Sequence, residues 1–190
     1  RSLTGATRVA FLVFFSSHIP ITLLIDSQAL LYPSSIYPKV ITDLSQWYAQ
    51  TFKDELMTAP FENNTWFASI VACECLFQIP FFFVAVYALC NTGRVNGKGM
   101  CWFRSACMIY GSHTATTLVP ILACISKDTN TTLLEKGTLF GFYLPYLIFP
   151  LWLLYIACVS DDLFADPGIT ATTTATTTTT TTPSMEKKRT

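Results

Sequence analysis

The sequence predicts an all-α membrane protein: a four-transmembrane-helix bundle with Pro-kinked helices and a luminal loop bearing a short amphipathic helix. Three observations carry that prediction. Of the 190 residues, 51% are apolar and only 13% charged, about half the ~25% charge of an ordinary soluble domain. Four apolar segments, roughly 9–31, 66–90, 101–125 and 138–159, are each long enough to cross about 30 Å of hydrocarbon at about 1.5 Å per residue. The polar residues inside those segments fall at one common depth, which points to a shared interior.

The first segment follows "SLTGATR" and precedes "LYPSSIYP". Its apolar run is too long for a signal-peptide core and no small-x-small site follows it, so it reads as a retained helix. The loop at 32–65 contains "VITDLSQWYAQTFKDELM", with apolar residues at 40, 41, 44, 47, 48, 52 and 56. That spacing predicts an amphipathic helix lying over or against the bundle. The chain divides into a membrane domain, 1–160, and a tail, 161–190. The tail "TATTTATTTTTTTPS" has no apolar face and is expected to be disordered and cytosolic.

Charge gives the orientation. Arg1, Arg8, Arg94, Lys98, Arg104, Lys187, Lys188 and Arg189 fall on one side, and Lys39, Lys53, Lys127 and Lys136 on the other. The bias places both termini in the cytosol. The N-x-T sequons at Asn63 and Asn130 then fall in luminal loops. Lys187 and Lys188, in the closing "EKKRT", resemble a dilysine address that retrieves membrane proteins to the endoplasmic reticulum. The net charge is zero, which leaves no nucleic-acid footprint. Seven cysteines lie in or beside apolar stretches without a metal-type CxxC pair and read as small buried hydrophobes. No metal and no cofactor are expected.

Asp26 interrupts "IPITLLIDSQALLYP" about 8 Å inside the luminal end of the first segment, and Glu74 lies about 12 Å inside the second. Gln78 is one turn beyond Glu74 on the same face. His113 and Thr117 occupy the third segment and Tyr143 and Tyr146 the fourth, at similar depth. An internal cavity is the economical account. Pro20, Pro80, Pro120, Pro145 and Pro150 put at least one helix-kinking residue in every span. Two intramembrane acids without a neighbouring Lys or Arg cannot both stay charged at low cost; either one holds a proton or an outside cation pairs with them. Asp54, in "FKDEL", is either a solvated loop acid or a member of the cavity mouth. His18 and His113 are either proton carriers or hydrogen-bonded core groups.

"SHIPITLLIDSQAL", "WYAQTFKDELM", "CECLFQIPFF", "HTATTLVPIL" and "YLPYLIFP" resemble, in this order, the sigma-2 receptor (transmembrane protein 97) family of the EXPERA superfamily, which also holds the emopamil-binding sterol isomerases. The resemblance covers about residues 8–155. It implies an endoplasmic reticulum membrane protein, often a homodimer, with a luminal-side pocket open to lipid that takes cholesterol-like sterols and cationic amphiphilic amines. By motif, Asp26 is similar to the acid that pairs with a ligand's amine, and Asp54 to a second acid hydrogen-bonded to it. Glu74 and Gln78 match the family's polar pair. His18, Trp47, Tyr110, Thr117 and Tyr146 match pocket-lining positions, and Trp47, Phe52 and Tyr146 are expected as aromatic walls. The implied role is regulation of cholesterol homeostasis, including association with the lysosomal sterol transporter of Niemann–Pick type C disease, a Niemann–Pick C1-type protein. A non-enzymatic receptor is the leading reading. A sterol double-bond isomerase is the alternative, weakened because the related isomerases have a fifth helix. An ion transporter is disfavoured by four short spans without inverted repeats.

Overall fold

A computed structural model describes residues 2–31, 36–58, 64–92, 101–160 and 162–164. The second loop with Arg94 and Lys98, the sequon residue Asn63, the Thr-rich tail and Lys187 and Lys188 lie outside the described residues. Within them the structure is helical, with no strand. The helices are α1 (Gly5–Ile21), α2 (Gln28–Leu31), α3 (Lys39–Phe52), α4 (Glu55–Thr58), α5 (Thr65–Cys73), α6 (Ile79–Cys90), α7 (Cys101–Lys127), α8 (Leu133–Tyr143) and α9 (Pro145–Val159). A π-helical turn, Thr22–Asp26, extends α1, and a second, Glu74–Gln78, joins α5 to α6.

Four continuous helical stretches, Gly5–Leu30, Thr65–Cys90, Trp102–Lys127 and Leu133–Val159, are long and apolar enough to cross a membrane. Their outer surfaces agree. Val13 is 62% exposed, Leu76 70% and Ile109 71%, a display that water would penalise and acyl chains accept. The chain is a multi-pass membrane protein.

The bundle consists of two hairpins. α1 packs against α6, and α7 against α9. At the end where the chain starts, each hairpin is tied by an arginine. Arg8 Nε donates to Leu89 O at 2.6 Å, and Arg104 Nε donates to Ala157 O at 2.7 Å. A guanidinium there satisfies carbonyls that a helix C-terminus leaves open and complements its negative dipole end. An aromatic layer joins the hairpins: Phe14 stacks on Phe149 with centroids 4.4 Å apart, and Phe81 on Tyr110 at the same distance. Residues 162–164 close the same end, Leu3 N–H donating to Leu163 O and Phe164 stacking on Phe103.

Proline acts unevenly. Pro80 cannot donate to Leu76 O, and the turn holding Leu76 is π-helical. Pro145 marks the break between α8 and α9 at Leu144. Pro20 immediately precedes the turn that carries Asp26. In the third span α7 runs through Pro120 without interruption. Neighbouring helices supply packing that keeps a proline helix continuous.

The amphipathic helix is present as α3, and its apolar stripe is split. Val40, Leu44 and Trp47 are exposed, while Tyr48 lines a cavity, Phe52 packs on Phe142, and Ser45 and Ala49 are buried. Small residues allow close approach to the bundle, and the exposed apolar residues are left to the membrane interface.

Gly111 sits where α7 meets α9; a Cβ there would stand 2.7 Å from Pro150 O and 2.8 Å from Leu154 Cβ. Gly111→Ala should therefore separate the two helices and destabilise the fold by about 1–3 kcal/mol, seen as a lower thermal midpoint in detergent. An unchanged midpoint would show that this crossing is looser than described.

Candidate functional site

Three of the four spans lose helical regularity at one level, and the polar residues gather there. Thr22 and Asp26 occupy the first π turn and Glu74 and Gln78 the second. A π turn adds a residue per turn and re-aims the side chains around it. His18 stands one turn before Thr22 on α1. His18 Nε2 lies 3.1 Å from Glu74 Oε1, and the Thr22 hydroxyl donates to the same oxygen at 2.7 Å. Ligand-type atoms of His18, Asp26 and Glu74 all lie within 4.8 Å of one another. On the opposite wall the Thr114 hydroxyl donates to Gln78 Oε1 at 3.1 Å. His18, Thr22, Glu74, Gln78 and Thr114 thus meet partners across helix interfaces, as burial in hydrocarbon demands.

These residues line a cavity of about 80 Å³ between the spans, whose walls include His18, Asp26, Glu74, Gln78, Thr114 and Thr117. A second compartment of about 220 Å³ adjoins it, walled by Ile21, Ile25, Tyr48 and Phe142. Asp26, Met57, Tyr143 and Tyr146 border both. Asp26 is therefore the acid at the junction of a polar chamber and an aromatic one. Among the described residues, no Lys or Arg lines either compartment.

Asp54 is fully enclosed, 1% exposed, but is not among the residues lining the two compartments. Its position follows from the local sequence. Lys53 ends α3 in the left-handed region, φ 54°, a conformation that costs a non-glycine residue about 1–2 kcal/mol. The Lys53 ammonium contacts Glu135 at 2.8 Å, fixing this corner to α8. Asp54 then caps α4: Oδ1 accepts from Leu56 N–H at 3.2 Å. Oδ2 accepts from Tyr143 at 2.9 Å and from Tyr48 at 3.3 Å. The bond to Asp26 implied by the family resemblance is not there; among the described residues the Asp54 carboxylate bonds to these donors instead. Asp54 holds the loop helices over the cavity mouth through two tyrosines that wall it.

Three other expected wall residues stand elsewhere. Trp47 is 57% exposed on the outer stripe of α3. Phe52 packs edge-on to Phe142, behind the wall. Tyr110 belongs to the aromatic layer between the hairpins. His113 turns toward Phe77 rather than into the cavity. Sequence reasoning passed over Thr22, Thr114, Tyr48 and Met57 as site members. The available signal was register: Thr22 is four residues from both His18 and Asp26, on one helical face.

The comparisons with known proteins agree with this architecture. The EXPERA (EXPanded EBP superfamily) profile matches residues 40–157. Sigma intracellular receptor 2 of Xenopus tropicalis is 43% identical over 153 residues, 76% of this chain and 83% of that protein. The Homo sapiens protein of the same name is 43% identical over 154 residues, 75% of this chain and 81% of its own. Efficient mitochondria targeting-associated protein 19 of Saccharomyces cerevisiae is 27% identical over 162 residues, 77% of this chain and 94% of its own.

Burial raises the Asp54 carboxyl above its usual 3.8, against the bonds from Tyr143, Tyr48 and the Met57 and Leu56 backbone N–H groups that lower it, and burial likewise raises the Tyr48 hydroxyl. A carboxyl raised on folding contributes most to stability below its unfolded value and loses that contribution as pH rises through the folded value. Asp54→Asn should flatten that part of the stability-versus-pH curve. Asp54→Ala should cost about 3 kcal/mol at neutral pH by orphaning three donors. Thermal midpoints across a pH series check both, and identical curves for wild type and Asp54→Asn would contradict the assignment. From its profile match, its 43% identity to two receptors and its four-span architecture, the chain belongs to the EXPERA family.

Proposed function

We propose that the protein is an endoplasmic reticulum membrane receptor that binds cholesterol-like sterols and cationic amphiphilic amines in the paired cavities, without chemical turnover, and takes part in cholesterol homeostasis. The observation that carries this reading is Asp26, an acid at the junction of the two compartments, with no Lys or Arg among the described residues of either wall. An ammonium supplies the missing cation. In a poorly hydrated site the ion pair is little screened. Tyr143 and Tyr146 flank the same junction and would add cation–π attraction of about 0.5–2 kcal/mol. The outer compartment, walled by Ile21, Ile25 and Phe142, suits the apolar body of an amphiphile arriving from the bilayer between the first and fourth spans.

The names of the animal relatives support a receptor. In this reading both termini are cytosolic, the cavity lies in the luminal half, and the chain works as a homodimer. Association with a Niemann–Pick type C sterol transporter would place it in sterol handling. The alternative is a sterol double-bond isomerase. The observation favouring it is the His18–Glu74 pair at 3.1 Å, two groups that can share and move one proton.

Asp26→Asn should weaken binding of a protonated amine about 100-fold while leaving sterol binding in place. Equal amine affinity in the variant refutes the ion pair. The receptor reading also requires that the chain fail to complement a sterol-isomerase-deficient strain; growth rescue would establish the enzyme instead.

A further inference from the structure

The geometry points to a divalent transition-metal site, of Zn2+ character, formed by His18, Asp26 and Glu74. The three residues come from two spans, yet one ligand-type atom of each falls within 4.8 Å of the others. Three protein ligands around one ion, with a position left toward a cavity for water or a bound molecule, is the arrangement of an open zinc site. One imidazole and two carboxylates suit a borderline ion better than Ca2+ or Mg2+, which take mainly oxygen.

Charge is the first argument. Two carboxylates stand close together inside the membrane, and among the described residues no Lys or Arg lines the cavity. A monovalent cation balances one of them; a divalent ion balances both, which a low-dielectric site favours. The second argument is independent and concerns His18. The residue is 6% exposed, lines the cavity, and leaves Nδ1 buried without a hydrogen-bond partner. Its ring is enclosed by Phe14, Phe82 and Tyr146, at centroid distances of 5.4, 4.8 and 4.5 Å. Aromatic surroundings tolerate an N–H better than a bare lone pair. That favours the proton on Nδ1 and leaves the Nε2 lone pair facing Glu74 Oε1 at 3.1 Å. Two acceptors at that distance need a proton or a cation between them. The third argument is the support of the ligand. The Thr22 hydroxyl, 0% exposed, holds Glu74 Oε1 at 2.7 Å, the kind of outer-shell bond that orients a metal-binding carboxylate.

The assignment stands on these ligands and not on the amine reading, although the two share Asp26. Metal and amine should therefore exclude each other. The full chain, purified in detergent and stripped with a chelator, is titrated with Zn2+ by calorimetry and with Co2+ by its visible absorption. One ion per chain is expected, with affinity lowered about 10-fold or more in Glu74→Gln, and about 10- to 100-fold in Thr22→Val, which keeps the side-chain shape and removes only the outer-shell hydroxyl. Zn2+ should also lower the apparent affinity of a cationic amine. A wild-type chain that takes up no Zn2+, or binding unaltered in both Glu74→Gln and Thr22→Val, overturns the site. Amine binding measured in chelator reads the receptor proposal separately, so either can fail alone.

Discussion

The Glu74 carboxylate on the second span, held by His18 and Thr22 of the first, is the constraint around which the rest is arranged. A charged or polar group at membrane depth costs several kcal/mol unless partners meet it. Those partners have to come from another helix, so the bond fixes the register of the first two spans. It also brings Asp26 close to a second acid. The cavity follows from this pairing: the helices cannot close fully around two carboxyls, an imidazole and two threonines. The π turns at Thr22–Asp26 and Glu74–Gln78 are where the backbone accommodates that demand.

The two ends of the bundle differ in kind. Where the chain starts, arginines on helix carbonyls and an aromatic layer make a closed, dry plug. At the other end the bundle is roofed by short helices held through single polar contacts: Lys53 to Glu135, Asn130 to Glu55, and Tyr48 and Tyr143 to Asp54. The plug supplies stability, and the second compartment lies under the roof, walled by Tyr48 of the roof and by residues of the first and fourth spans.

Much of this was legible in the sequence because hydrocarbon makes polarity conspicuous. Asp26, Glu74, Gln78 and His18 stand out in apolar segments, and their common depth announced a shared interior. The spans were legible for the same reason, since length and hydropathy alone define them. Which face of a helix meets protein and which meets lipid was not. An apolar stripe looks the same whether it faces protein or lipid, so Trp47 was assigned inward although it faces out. Thr22 and Thr114 escaped notice because threonine is common in membrane helices and shows its role only when a partner is placed opposite. Asp54 could not be resolved between surface and interior, because its tyrosine partners lie 6 and 89 residues away.

The central claim is that Asp26 faces an interior that receives the charged head of an amphiphile. An experimental structure of the protein in complex with a cationic amphiphilic amine tests it most directly. The account expects the ammonium nitrogen beside the Asp26 carboxylate, flanked by Tyr143 and Tyr146, with the apolar body in the outer compartment. An amine seated on the lipid-facing surface, with side chains filling the space around Asp26, would contradict it.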